Sequence, residues 1–217
     1  MRDSKELGLT DAYAVKTPDD NRALYREWAD TYDKAFADAR GYQYPQRIAA
    51  IYARYATRSD TPIVDIGSGT GLVAAALQLD ADIDTPITID GIDISPEMLQ
   101  ISRDKKIYRQ LFEADLTKPL DLPEKQYGAA VSAGTFTHGH VGPEALNGAL
   151  RLCRAGALLV IGVNGTAFDQ YHFGSGFAAL QADNLITPLE FVRVQYYANA
   201  EDSHADDHGY AAVFRKV

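Results

Sequence analysis

The chain has 217 residues, 46% of them hydrophobic, which is the size of one large domain with enough apolar side chains for a substantial core. Its 21 Lys and Arg against 30 Asp and Glu leave a net charge of −9, which disfavours polyphosphate and anionic lipid; the densest basic cluster, Arg103, Lys105, Lys106 and Arg109, is diluted by Asp104. One cysteine, Cys153, excludes an intrachain disulfide or a multi-thiolate metal centre and suits a reducing, cytoplasmic setting, and no apolar run approaches the roughly 20 residues that cross a bilayer.

The first ten residues, MRDSKELGLT, lack the apolar core of a secretory signal. Over residues 11–57, apolar and aromatic side chains recur at helical spacing, with Leu24, Trp28, Tyr32 and Phe36 four apart on one face. Helices are predicted there, interrupted at RGYQYP and resumed over about residues 45–55 with proline in the first turn. After RSDTP the period changes. PIVDIG predicts a strand, GLVAAALQL a helix, ITIDGIDI a strand, and SPEMLQISRDKK a helix with Ser95 as N-cap, Pro96 at N1 and Glu97 at the positive end of the dipole. YRQLFEAD and YGAAVSA, the latter ending near Ser132, predict strands. PEALNGALRLC predicts a helix that packs Cys153 into the core, and GALLVIGVN a strand. DQYHFGSGFAALQADN predicts a helix broken by Gly174 and Gly176, and LEFVRVQYYA and GYAAVFRKV are the last two strands.

Strand and helix in alternation predict an α/β, doubly wound seven-stranded sheet, mostly parallel, with helices on both faces. The final two strands, joined by NAEDSHADDH, have no crossover helix between them, so the last strand is expected to be antiparallel. One domain is expected, with residues 1–58 a helical lid segment and residues 59–217 the core.

The loop VDIGSGTG, residues 64–71, follows the first strand, and glycines at 67, 69 and 71 let the backbone turn sharply and approach a ligand. A dinucleotide fingerprint would need glycine where Leu72 stands, and a phosphate loop would need a Lys-Ser/Thr pair, so neither pattern is met. Asp93 ends the second strand, where an acid meets a ribose diol in nucleotide-binding folds, and Asp115 ends the third, within reach of an exocyclic amine.

VDIGSGTG, GIDIS and FEADL, in that order, resemble the motifs of class I S-adenosylmethionine-dependent methyltransferases. The resemblance implies a Rossmann-like sheet preceded by N-terminal helices, with S-adenosylmethionine as cofactor. It implies that Asp65, Gly67, Ser68, Gly69 and Gly71 wall the methionine end, that Asp93 and Ile94 meet the ribose, and that Asp115 with Leu116 holds the adenine, with Ser132 alongside. YREWADTYD is similar to the lead-in helix of such enzymes, which implies Tyr32 as a cover for the cofactor and Trp28 beside the substrate. At a finer level, GIDISPEML, GTFTHGHVGPEAL and HGYAAVFRKV resemble the Williams-Beuren-syndrome-region methyltransferase-like proteins.

The loop after the fourth strand borders the crevice of a doubly wound sheet, which puts Thr135, Phe136, His138 and His140 where an acceptor is expected. His138 and His140 are candidate catalytic bases, with a hydrogen-bonding role in the loop or a metal as rivals. No metal is expected, because no His-Glu-x-x-His or cysteine-rich pattern accompanies them. Tyr171 and His172, after the fifth strand, are candidate substrate contacts. SAGTFT differs from the Asn/Asp-Pro-Pro-aromatic run of DNA amino-methyltransferases, so with the acidic charge a small-molecule acceptor is expected and no nucleic acid or membrane partner. A non-catalytic module holding S-adenosylmethionine or S-adenosylhomocysteine is the main alternative, and a nucleotide-sugar or dinucleotide enzyme the weaker one.

Overall fold

Every residue of β1, Ile63–Ile66, is buried, because the strand has parallel neighbours on both edges and helices over both faces. The computed structural model describes Leu24 and residues 41–79, 87–137, 141–198 and 207–217. On one side β1 pairs with β2, Ile89–Asp93, and β2 with β3, Gln110–Glu113. On the other it pairs with β4, Tyr127–Phe136, which pairs in parallel with β5, Cys153–Asn164. The last strands, β6, Glu190–Gln195, and β7, His208–Arg215, are antiparallel, and β7 inserts between β5 and β6. The order is therefore β3-β2-β1-β4-β5-β7-β6, the expected mixed sheet. Chain direction reverses its march across the sheet at β1, which opens a crevice between the ends of β1 and β4.

Alternate residues of the strands feed two cores. Val64, Ile66, Leu159 and Ile161 meet α4, Leu146–Leu152, and α6, Phe173–Ala182. Ile63, Val131, Leu158 and Val160 meet α1, Tyr44–Tyr55, and α2, Leu72–Leu79. The helix α3, Pro96–Lys105, starts as its sequence predicts: Ser95 Oγ accepts from the Met98 N–H at 3.2 Å, Pro96 stands in the first turn and Glu97 follows. Among the described residues no helix is long and apolar enough to cross a membrane.

Two buried carboxylates staple the sheet away from the crevice. Asp90 accepts from Arg109 Nε at 3.0 Å and Nη2 at 2.6 Å, from the Tyr127 hydroxyl at 2.8 Å and from the Gln110 N–H, joining β2, β3 and β4. Asp60 accepts from Arg215 at 2.7 and 3.0 Å and from the Thr57 N–H and hydroxyl, joining the lead into β1 to the end of β7. Burial pushes the Asp60 carboxyl up, and the Arg215 and Thr57 bonds outweigh it, so it titrates below the usual carboxylate range.

Three boundaries differ from the sequence reading. Gly174 and Gly176 do not break a helix; they lie inside α6, and the break falls at Tyr171 and His172, between α6 and the short α5, Gly165–Gln170, where His172 takes a φ of 57°. Gly176 is small for a packing reason, since a Cβ there would stand 2.6 Å from the Pro143 ring. Cys153 opens β5 rather than closing a helix, although it is buried as expected. Finally, β4 continues past Ser132 to Phe136, with a register irregularity over that stretch.

Candidate functional site

The crevice at the ends of β1, β2, β3 and β4 is a cleft of about 940 Å³, open to solvent. Its floor is the glycine loop. Gly67, Gly69 and Gly71 take φ of 66°, 52° and 89°, a left-handed backbone that a side chain disfavours. Neighbouring strands hold the loop from several sides. The Ser68 N–H donates to the Ile92 carbonyl at 2.9 Å, and the Ser102 hydroxyl of α3 donates to the Gly69 carbonyl at 2.6 Å. A Cβ at Gly69 would meet no atom within 4 Å and would project into space, whereas one at Gly67 would collide with Thr135.

Asp93 binds the loop from the end of β2. Its Oδ2 accepts from the Gly69 N–H at 2.7 Å and its Oδ1 from the Ser95 N–H at 2.9 Å, so backbone donors on both sides fix the carboxylate at the cleft wall. Burial pushes this carboxyl above the usual range, against those backbone bonds. Asp115, beyond β3, is oriented by the Thr117 N–H at 2.9 Å, the Thr117 hydroxyl at 2.6 Å and Lys118 at 3.0 Å. Partial burial pushes its carboxyl up, but these partners prevail and hold it below the usual range.

Beneath the loop lies Asp65, fully buried. Its Oδ2 accepts from the Tyr108 hydroxyl at 2.7 Å, and its Oδ1 has no hydrogen-bond partner among the described residues. Burial raises this carboxyl to about 7, with the Tyr108 bond opposing and the charge of Asp93 assisting.

The predicted site residues divide into groups. Gly67, Ser68, Gly69, Asp93, Ile94, Asp115, Leu116 and Thr135 line the cleft together. Asp65 and Gly71 stand under the loop, where a Cβ on Gly71 would meet Ile107, Tyr108 and Ser102. Ser132 is not in the cleft wall: it is fully buried, and its hydroxyl donates to the Ile66 carbonyl at 2.8 Å. Phe136 is 1% exposed and packs edge-on against Phe173 in the core, because the irregularity in β4 turns Ala133, Gly134 and Thr135 to the cleft and returns Phe136 to the interior. Tyr171 packs on that same core and His172 is exposed, so neither lines the cleft. Trp28, Tyr32, His138 and His140 lie outside the described residues. Among the described residues no group of three or more His, Cys, Asp or Glu side chains is placed to hold a metal ion.

Among the residues that sequence reasoning misses are Tyr42, Val141 and Tyr108. Tyr42 lines the cleft from the approach to α1, held by the rings of Tyr44 and Tyr197 at 6.4 and 5.7 Å. Val141 joins the wall beyond β4, and Tyr108 reaches Asp65 from the turn before β3. Only Tyr42 carried a signal, the RGYQYP interruption ahead of a proline-led helix.

A protein-family model described as a methyltransferase domain matches residues 64–161. No curated protein matches the chain. In fold the chain is similar to a candidate S-adenosylmethionine-dependent methyltransferase of Methanococcus maripaludis, at 18% identity over 90% of this chain and 93% of that one, with a TM-score of 0.59. It is also similar to the cyclase SpnF, at 16% identity over 93% and 98% of the two chains and a TM-score of 0.66. A third likeness is to the Haloferax volcanii candidate methyltransferase solved with the activator Trm112, at 18% identity over 90% and 96%, TM-score 0.60.

The domain implies S-adenosylmethionine, an amino acid joined through a sulfonium to adenosine, and the residues present fit such a ligand. The open side of Gly69 leaves it room, and the Asp93 and Asp115 carboxylates at the cleft wall are acceptors suited to hydroxyl and amine donors. Residues 64–161 match a methyltransferase domain, and the sheet order is that of a Rossmann-like methyltransferase fold.

Proposed function

We propose that this protein methylates a small-molecule acceptor, with the cofactor held by the glycine loop, Asp93 and Asp115 and the acceptor lodged against Thr135, Val141 and Tyr42. The observation that carries the reading is the alignment of three polar anchors, the Gly69 loop, Asp93 and Asp115, along the ends of β1, β2 and β3, beside a wall of small and aromatic residues from β4 and α1. The cofactor supplies an already activated methyl group on a sulfonium. The chain's own task is to align the acceptor, exclude water and, for a protonated acceptor, accept a proton. His138 and His140 are the proposed bases or acceptor contacts, and substituting either by Ala is expected to lower turnover while leaving cofactor affinity nearly unchanged.

Residues 1–58 are proposed as a lid over the cleft within a single domain, with Tyr32 and Trp28 facing the ligands. The net charge of −9 argues against a nucleic acid acceptor, and the single cysteine favours a cytoplasmic setting. The stretches GIDISPEML, GTFTHGHVGPEAL and HGYAAVFRKV further suggest kinship with the Williams-Beuren-syndrome-region methyltransferase-like proteins.

A second reading, a module of this fold that binds the cofactor without transferring methyl, is favoured by the likeness to SpnF, which is named a cyclase. A broad acceptor screen with methyl-labelled cofactor separates the two. Label transfer that Asp93→Ala abolishes supports the enzyme; cofactor binding with no transfer to any acceptor supports the module.

A further inference from the structure

Among the described residues that line the cleft, Tyr42 is the one aromatic side chain, and its hydroxyl reaches Gly134 at the end of β4. Gly134 has a φ of 85°, a backbone that a side chain disfavours, and a Cβ built there would lie 3.5 Å from the Tyr42 hydroxyl. The gap between the lead into α1 and the end of β4 is therefore set from one side, by where the Tyr42 ring sits. A half-buried tyrosine ahead of a helix is free to turn about its side-chain bonds unless neighbours fix it. Those neighbours come from the far edge of the sheet. Tyr42 forms an antiparallel bridge with Tyr197, just after β6, and around it the Gln43 N–H donates to the Tyr196 carbonyl at 2.8 Å and the Ala198 N–H to the Gly41 carbonyl at 3.0 Å. The rings follow the backbone: Tyr42 and Tyr197 stand 5.7 Å apart between centroids, tilted by 45°, and Tyr44 and Tyr196 stand 4.5 Å apart. Tyr196 and Tyr197 are each 5% exposed, and neither lines the cleft. The GYQYP interruption thus has its counterpart in QYYA.

Resting on the reading of this cleft as a methyltransferase site for a small-molecule acceptor, we propose that Tyr42 is a specificity-determining residue and that Tyr197 is the positioning residue that holds it. Tyr42 bars the space beside Gly134, and so limits the bulk of an acceptor that reaches the wall of Ala133, Gly134 and Thr135. Tyr197 stays outside the cleft and acts through Tyr42, by keeping its ring from swinging away from β4. A purely structural strap needs only the backbone bonds and apolar bulk at residue 197, which leucine supplies. Holding a tilted ring needs an aromatic neighbour, which leucine does not.

The test is a transfer assay with methyl-labelled cofactor on a panel of phenols, primary amines and primary thiols, each graded in bulk from a methyl to a biphenyl substituent. Calorimetric titration with S-adenosylhomocysteine runs beside it, on the wild type, Tyr42→Ala, Tyr197→Leu and Tyr197→Phe. Tyr42→Ala is expected to raise the ratio of kcat/KM for bulky over slim acceptors by about tenfold or more. Tyr197→Leu is expected to raise the same ratio by about threefold or more, with S-adenosylhomocysteine affinity within about twofold of wild type, and Tyr197→Phe to keep the wild-type ratio. A Tyr197→Leu protein that slows every acceptor equally, or loses S-adenosylhomocysteine affinity with the ratio unmoved, makes Tyr197 a packing residue and overturns the proposal. An unmoved ratio in Tyr42→Ala overturns it whatever Tyr197 does. These outcomes remove the proposal alone, while a wild type that binds S-adenosylhomocysteine yet methylates no member of the panel removes the small-molecule reading with it.

Discussion

Thr135 occupies the space that a side chain at residue 67 would need. A Cβ built on Gly67 collides with the Thr135 hydroxyl and comes within 2.8 Å of its methyl group, and the same hydroxyl donates to the Ile66 carbonyl at 2.9 Å. The start of the glycine loop and the irregular end of β4 are thus interlocked.

Gly67→Ala is expected to destabilise the protein by about 3 kcal/mol, the sum of left-handed backbone strain and overpacking. Adding Thr135→Ala removes the two closest atoms but leaves the residue 135 Cβ 2.9 Å away and the strain in place, so the double variant is expected to recover less than half of the loss. Urea denaturation of the two single variants and the pair measures this coupling.

Gly69→Ala separates folding from binding. No atom stands near its Cβ, so only the backbone strain of about 1 kcal/mol is expected in stability. Its methyl enters the cleft, and S-adenosylhomocysteine affinity is expected to fall about tenfold or more, measured by calorimetry.

Asp65 makes stability of the ligand-free protein depend on pH. Its folded carboxyl is raised to about 7 from an ordinary value of 3.8. The folded state then holds a proton that the unfolded state has released, so stability is expected to fall as pH rises from about 4 to about 7. Asp65→Asn is expected to flatten that slope in denaturation midpoints taken across the range.

Arg215→Ala leaves Asp60 buried without its cation and is expected to cost about 3 kcal/mol. Because the Asp60 carboxyl is lowered, its contribution is present at neutral pH and is lost as pH falls below about 4. This pair lies outside the cleft, so S-adenosylhomocysteine affinity is expected to stay within about twofold.

The sheet was legible because each strand and helix signals itself locally, through period, capping and glycine. Ser95, Pro96 and Glu97 announce α3, and the missing crossover ahead of β7 announces its antiparallel direction. What escaped depends on contacts distant in sequence. Gly176 reads as a helix breaker until Pro143 is seen pressing on it. Phe136 and Ser132 read as cleft residues because a strand end predicts their neighbourhood, while the irregularity in β4 that decides which side chain faces the ligand leaves no mark in SAGTF. Tyr108 and Asp65 are 43 positions apart, a separation no local pattern encodes.

Ser132 and Thr135 both hydrogen-bond the Ile66 carbonyl, one from inside the sheet and one from the cleft wall. A substitution that widens the cleft at Thr135 therefore withdraws a support from the glycine loop. Cleft shape and loop support share one genetic position there, so a lineage that reshapes the cleft through Thr135 must re-tune the loop in the same step. Val141 lines the same cleft without a hydrogen bond to the loop from its apolar side chain, so the cleft can be reshaped more freely there.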